Sequence, residues 1–360
     1  MNCRVLFSED SGEWASTLKQ LPGADVYFSA EYHRAHEAGS DASARAFVVE
    51  QNGQCLFHCF LLRPIKYVGS MEIPEGFQDI ETVYGYTGPL LFGEDPEFQS
   101  KGWEMFREWC QAQRVIAEFA RFNPVLNNAE SKGLPLQISK DRQTVLLPLS
   151  GSATDLWNSY PSTQRNMVRK ALSKGLVCEE RPAQENWAMF QAIYEQTMRR
   201  AGAAPSYFFS GDYYSRLAAG LGDRLRLFVV RHHEAVAAAA LILVSDEGID
   251  YHLSGSSERF RDAGPNNLLL HAAAEWALAR GLRWFHLGGG RTSAPDDALL
   301  RFKSSLSAHR RSFQVGRRIH DIAAYEHLCQ DWLRQSNAPK APPYFLLYRL
   351  PLKSGITFGV

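Results

Sequence analysis

Cysteine is scarce: six residues in a chain of 360, at positions 3, 55, 59, 110, 178 and 329. That is too sparse for a disulfide scaffold. The closest pair, Cys55 and Cys59, brackets His58 in CLFHCFLLRPI, where strand alternation puts the thiols on one face and the imidazole on the other. The arrangement implies packing rather than zinc. No apolar run is long enough to span a bilayer, and the opening MNCRVLFSED lacks the h-region of a signal peptide. The chain reads as soluble and cytoplasmic. Net charge of either sign is also missing, with 39 basic residues against 39 acidic ones, so no global field draws the chain to nucleic acid. No Gly-Lys-Ser/Thr stands at Walker spacing and no G-x-S-x-G occurs, which excludes a P-loop ATPase and a hydrolase nucleophile elbow.

What is present is a hydrophobic content of 45% and an aromatic content of 12%, enough for a substantial core over a length that predicts two domains. Charge is uneven along the chain. Ser70 to Ser100 holds seven acids and no Lys or Arg, whereas Arg280 to His320 holds nine Lys/Arg against Asp296 and Asp297. A polyanion would be drawn to the C-terminal half.

The two halves follow one plan. In the first, SAEYHRAHEAG has helical spacing, and ARAFVVEQNGQCLFHCFLL reads as a hairpin turning at Asn52-Gly53. After it come the strand ETVYGYTGPLLF, the helix DPEFQSKGWEMFREWCQAQ, and the strands VIAEFARF and TVLLPL. In the second, YYSRLAAGL is helical, LRLFVVRHHEAVAAAALILVS is a hairpin and GIDYHLSGSS a strand; NNLLLHAAAEWALARG is a helix and RWFHLGGG a strand. Tyr86-Thr87-Gly88-Pro89 and Leu253-Ser254-Gly255-Ser256 occupy matching places. A repeat of this length predicts two similar α/β domains, 1–150 and 151–360, with the segment 334–360 packing back.

Between them, SATDLWNSYPSTQRNMVRKALSKGLVCEE reads as two helices interrupted at Pro161. The second carries Arg165 and Arg169 on one face and Lys170 and Lys174 on another. A solvated basic face is the plain reading, and phosphate contact the functional one.

The segment FHLGGGRTSAPDDALLRFKSS, Phe285 to Ser305, gathers three glycines, two carboxylates and a lysine. Gly288-Gly289-Gly290 lacks the G-x-G-x-x-G helix entry of a dinucleotide loop, so the glycines are expected to let a ligand or a backbone approach closely. Asp296 and Asp297 read as the N-cap and first-turn acid of the following helix, with no third ligand for a metal. Lys303, two turns into that helix beside Phe302, either snorkels to solvent or is held by packing where it can meet a developing oxyanion.

Taken together, IETVYGYTGPLLF, RNMVRKA, YHLSGSSERFRDAGPNNLLL, FHLGGG and DDALLRFKSSL resemble the Fem-type aminoacyltransferases and their GNAT-like relatives, in order and spacing over most of the chain. The resemblance implies an α/β (α+β) fold of two tandem GNAT-like domains with mixed sheets and a cleft between them. It implies amide-bond formation from aminoacyl-tRNA to an amine acceptor, which in the well-known members is a peptidoglycan precursor. No bound cofactor is implied. Lys303 would stabilise the charge on the attacked carbonyl, and the Phe302 backbone would orient the acceptor. Arg34 or His36 falls where the family grips a UDP diphosphate, but the second gripping arginine has no aligned counterpart near Arg199 and Arg200. No sustained heptad occurs between the halves, so the family's coiled-coil arm is missing.

The strand-end residues Tyr84, Tyr86 and Tyr251, with Asn267, Gly288 and Gly289, are candidates for substrate contact. His252 can exchange a proton near neutral pH. Arg165, Arg169, Lys170, Arg291 and Arg301 are candidates for tRNA phosphate. Two alternatives stay open. One is an acyl-CoA-dependent N-acyltransferase on an amino sugar or amine, for which RDAGPN keeps Arg261 and Gly264 of a pyrophosphate loop but has Asn266 in place of its last small residue. The other is a non-catalytic binding or scaffold protein of the same fold.

Overall fold

In the computed structural model, which describes residues 1–336 and 340–352, Asn52 and Gly53 take φ values of 49° and 78° and close the expected hairpin. Positive φ at both turn positions matches the right-handed twist of the flanking strands. Around that hairpin is built the first of two units, Met1–Asp141 together with the described chain from Phe313. It runs β1 (Asn2–Phe7), α1 (Ser11–Leu18), α2 (Ala30–Ala35), β2 (Ser43–Gln51), β3 (Gln54–Pro64), the small hairpin β4 (Tyr67–Val68) and β5 (Met71–Glu72), β6 (Gln78–Glu81), β7 (Leu90–Phe92), α3 (Pro96–Ala112) and β8 (Val115–Arg121).

β9 (Gln137–Pro148) leads into the second unit, Arg142–Ser312. This continues with α4 (Ala153–Ser159), α5 (Ser162–Ser173), β10 (Val177–Pro182), α6 (Ala183–Arg200), α7 (Gly211–Leu221), β11 (Leu225–His232), β12 (Ala235–Val244), β13 (Gly248–Ser256), α8 (Pro265–Leu278), β14 (Trp284–Gly289) and α9 (Ala298–Ser304). β15 (Arg310–Ile319) returns the chain to the first unit, where α10 (Ile322–Ser336) follows.

Each unit has a mixed sheet of the same design. In the first, the strand order is β1-β2-β3-β6-β8-β15, and β6 and β8 are the parallel pair, joined through α3. In the second, the order is β9-β14-β13-β12-β11-β10, and β13 and β14 are the parallel pair, joined through α8. A helix is the economical way to connect parallel neighbours. Pro96 opens α3 behind Asp95, whose carboxylate accepts the Glu97 N–H at 2.9 Å.

Four features depart from the sequence reading. The stretch ETVYGYTGPLLF is not one strand: β6 ends at Glu81 and β7 starts at Leu90. Gly85 and Gly88 between them hold φ values of 116° and 76°, and the Tyr27 ring lies against Gly85 where a Cβ would clash. Second, LVCEE ends in the strand β10, paired with β11, rather than in a helix. Third, the units divide between Asp141 and Arg142, where the expected boundary followed Ser150, and the chain from Phe313 belongs to the first unit. Trp332 donates to the Leu350 carbonyl at 2.7 Å and Arg349 donates to Asp79 at 2.8 Å, so the C-terminal segment packs on the first unit. Positions 337–339 and 353–360 of the segment expected to pack back lie outside the described residues. Fourth, the acid that caps α9 is Asp297, with Asp296 preceding it.

Candidate functional site

α9 is short, and its orientation is set by Asp297. The Oδ1 atom accepts the N–H groups of Leu299 and Leu300 at 2.9 Å each, while Oδ2 accepts those of Arg291 and Thr292 at 3.1 Å. Burial raises the Asp297 pKa, but these hydrogen bonds outweigh it and hold the carboxyl below its ordinary range. Leu300 and Leu306 drop into a core cluster that includes Leu269, Phe285 and Leu287, with Phe302 packed against it.

That packing carries Lys303 inward, leaving it 7% exposed. Its Nζ donates to the Gly289 carbonyl at 2.7 Å and lies 5.8 Å from the centre of the Tyr251 ring. Among the described residues Gly289 is its one acceptor, so two of the three ammonium hydrogens are uncommitted. Burial pulls the Lys303 pKa down to about 7; Asp297 works against the shift and Arg142 adds to it. Burial likewise pushes the Tyr251 hydroxyl up to about 12.

The glycines serve close approach by protein atoms. A Cβ on Gly290 would stand 2.5 Å from Asp297 Oδ1, and one on Gly289 3.0 Å from the Gln143 carbonyl. Gly288 has a φ of 73° at a register shift between β14 and β9. Arg142 donates to the carbonyls of Gly290 and Arg291 at 3.0 and 2.9 Å.

The remaining second-unit candidates divide. His252 sits at a bulge, where the β12–β13 register skips from Tyr251 to Leu253, and its Nε2 is 3.1 Å from the Tyr213 hydroxyl. The Phe302 carbonyl already accepts the Ser305 N–H at 3.1 Å and its hydroxyl at 2.7 Å, which uses both lone pairs and removes it as an acceptor for substrate in this arrangement. Asn267 is buried and donates to Gln164 Oε1 at 2.6 Å, so its amide joins α5 to α8. Arg165 donates through Nη1 to the Tyr160 carbonyl at 2.5 Å, and Arg169 lies over the Trp157 ring at 5.3 Å. Lys170, Arg291 and Arg301 are exposed.

The first-unit candidates form an aromatic group of their own. The Tyr32 hydroxyl donates to the Tyr84 carbonyl at 2.6 Å, and Tyr86 packs edge-on against Tyr27 and Phe313. The His36 ring is 4.8 Å from that of Tyr32, and burial pulls its pKa down to about 4. Arg34 is exposed.

Sequence reasoning missed a buried pair: His286 Nδ1 stands 2.8 Å from Asp250 Oδ1. The available signal was an acid and an imidazole each flanked by apolar or aromatic neighbours within a strand, Ile249-Asp250-Tyr251 and Phe285-His286-Leu287. Among the described residues no group of three His, Cys, Asp or Glu could hold a metal ion, and no helix is long and apolar enough to cross a membrane.

Residues 162–304, which hold Lys303, Gly289, Tyr251 and His252, match the family model for an acetyltransferase (GNAT) domain. Over most of its length the chain has a tandem GNAT fold. It is similar to the crystal structure of FemX, with a TM-score of 0.68 and 15% identity over 91% of this chain and 99% of that one. It is similar also to the C-terminal domain (DUF2156) of a proposed lysylphosphatidylglycerol synthetase from Agrobacterium fabrum, with a TM-score of 0.53 and 14% identity over 88% and 94% of the two chains. A tandem GNAT protein from the clavulanic acid biosynthesis pathway matches with a TM-score of 0.51 and 11% identity over 89% and 99%. No curated protein matches the sequence.

Proposed function

We propose that this protein is an aminoacyltransferase that moves an amino acid from aminoacyl-tRNA to an amine, forming an amide. The observation that carries the reading is Lys303: an ammonium buried by helix packing, with hydrogens left over after its bond to Gly289. In the reaction the amine attacks the ester carbonyl, the new C–N bond forms, and the carbonyl oxygen becomes anionic. The C–O bond to the ribose then breaks, and the proton lost by the amine ends on the leaving hydroxyl. A preorganised donor at the oxyanion contributes about 2.7–4 kcal/mol. An anion at that point also favours the charged form of Lys303, offsetting the pull of burial. The ester is already activated, so positioning does much of the remaining work and no covalent enzyme intermediate is required.

Roles follow for the other candidates. Phe302 holds Lys303 through its packing on the core, and His252, beside the Tyr213 hydroxyl, is the proposed acceptor of the proton lost by the amine. Tyr84, Tyr86, His36 and Arg34 are proposed acceptor contacts, and Lys170, Arg169, Arg291 and Arg301 are proposed phosphate contacts for the tRNA.

The second reading is an acyl-CoA N-acyltransferase, favoured by the GNAT match of residues 162–304. Against it, the start of α8, where pyrophosphate would sit on free helix N–H groups, is covered by α5. A Cβ on Gly264 would stand 2.8 Å from the Met167 side chain, and Asn267 is engaged with Gln164.

Labelled amino acids with total charged tRNA and an amine acceptor pool separate the readings. Product that disappears when ribonuclease is added supports aminoacyl-tRNA as donor. Transfer that survives ribonuclease and requires acyl-CoA supports the second reading. No product from either donor points to a scaffold.

A further inference from the structure

β13 and β14 run side by side for three rungs, Gly248 with Trp284, Ile249 with Phe285 and Asp250 with His286, although β13 continues to Ser256 and β14 to Gly289. Past the third rung the strands part. β13 stays with β12 through the bulge at His252, and β14 follows β9 through the register shift between His286 and Gly288. The last rung before this fork is closed by side chains as well as backbone, through the Asp250–His286 contact of 2.8 Å. Both residues are buried, 2% and 1% exposed.

The second-unit groups assigned to chemistry lie just past the fork. Tyr251 and His252 are on one branch, Gly288 and Gly289 on the other, and Lys303 is tied to the second branch through the Gly289 carbonyl. A shift of the β14 branch therefore moves the only acceptor that Lys303 has among the described residues.

The proton arrangement of the pair follows from its surroundings. Asp250 Oδ2 is buried with no hydrogen-bond partner among the described residues. A carboxylate with one bare buried oxygen is much costlier than a neutral carboxyl. Burial pulls the His286 pKa down to about 3, and the Lys303 and Arg311 cations add to the shift, so a charged imidazole is disfavoured there. Burial pushes the Asp250 carboxyl well up. The consistent state is an Asp250 O–H that donates to Nδ1 of a neutral His286.

We propose that Asp250 and His286 form an uncharged clasp at the β13–β14 fork that positions Lys303 by fixing the strand end bearing the Gly289 carbonyl. They are positioning residues. Their effect on turnover rests on the aminoacyl-transfer reading above, whereas their effect on Lys303 does not.

The test reads the Lys303 protonation midpoint directly, by NMR of isotope-labelled lysine in the full-length protein, with the signal assigned through Lys303→Met. Asp250→Asn keeps a donor to Nδ1 without adding charge, and the midpoint is expected to stay where it is in the wild type. Asp250→Ala opens the clasp, and the midpoint is expected to rise by a pH unit or more as Gly289 slips and water reaches the ammonium. Where transfer activity is measurable, Asp250→Ala is expected to lower kcat by roughly ten- to a hundredfold with KM nearly constant, and Asp250→Asn to restore it.

An unmoved midpoint in a folded Asp250→Ala protein would show that the pair only fills the core, and would overturn the proposal. A midpoint lowered by a unit or more in Asp250→Asn would make Asp250 a charged counter-ion of Lys303, and would also overturn it. If Asp250→Ala does not fold, Asp250→Val, which keeps the volume but removes the donor to Nδ1, takes its place with the same expected and overturning results. A protein inactive with every donor would sink the transferase reading while the NMR result still judged the clasp.

Discussion

The Asp297 carboxylate caps the helix that carries Lys303 and at the same time stands 2.5 Å from where a Cβ on Gly290 would be. One side chain thus couples the glycine-rich strand end to the placement of the buried ammonium. Replacing Gly290 by Ala forces the cap away from α9. The expected result is a loss of about 1–3 kcal/mol of stability, read by urea unfolding, together with a fall in turnover. A variant as stable as the wild type would show that the cap has room to move.

Asp297→Asn retains a capping oxygen but removes the charge that favours protonated Lys303. The Lys303 midpoint should move below about 7, and the basic limb of the kcat/KM profile should move to lower pH with it. A limb displaced to higher pH, or left in place, would remove Lys303 as the group that must be protonated.

Lys303→Met should lower kcat by roughly two to three orders of magnitude without destabilising the fold. Its sign in a pH series is also determined. The unfolded lysine holds its proton to the ordinary 10.5, and the folded one releases it at about 7. Between those values the unfolded chain binds more protons, so wild-type unfolding free energy should rise with pH relative to Lys303→Met. Parallel stability curves from pH 7 to 10 would show that the lysine is not buried in solution.

In the first unit, Glu118 Oε1 stands 2.7 Å from His58 Nε2 and Oε2 stands 3.2 Å from His320 Nε2. Burial raises the Glu118 pKa, but the two imidazoles outweigh it and hold the carboxyl well below its ordinary value. Because the folded pKa is depressed, this stabilisation is present above the unfolded value near 4.5 and is lost as pH falls through the folded one. Glu118→Leu should cost about 3–5 kcal/mol at neutral pH and flatten the acid side of the stability profile. Unchanged acid sensitivity by calorimetry would assign it elsewhere.

For the donor, Arg169→Glu with Lys170→Glu should weaken binding of charged tRNA and lower the slope of log affinity against log salt by roughly one for each phosphate no longer neutralised. Arg165 is unsuited to this test, because its guanidinium holds the Tyr160 carbonyl at the α4–α5 junction. Equal affinity and slope in a filter-binding assay would leave α5 as a solvated face.

The hairpin at Asn52-Gly53 and the crossover helices α3 and α8 were legible from the residues because each is governed by local chemistry: left-handed turn residues, an N-cap, helical spacing of apolar side chains. The lysine itself could be picked out from its neighbours Leu299, Leu300 and Leu306. Elsewhere local signals misled. The stretch from Thr82 to Leu90 looks extended from its β-rich composition around Val83 and Tyr84, yet Gly85 and Gly88 turn the chain so that Tyr27 and Tyr32 can pack against it. In RRSFQVGRRI the apolar residues Phe313, Val315 and Ile319 are outnumbered by four arginines, and the run becomes the strand β15 through pairing with β8.

Residue order along the chain was therefore enough to imply two similar mixed α/β halves and to single out the Phe302-Lys303 element, since turn, cap and periodicity act over a few neighbours. Contacts between distant segments were needed for the rest: the return of β15 and α10 to the first unit, the commitment of Arg165, Asn267 and the Phe302 carbonyl to structural bonds, and the meeting of Asp250 with His286. The burial of Lys303 belongs with these, because the loss of water that lowers its pKa comes from helix, strand and core packing around it, which no stretch of sequence contains alone.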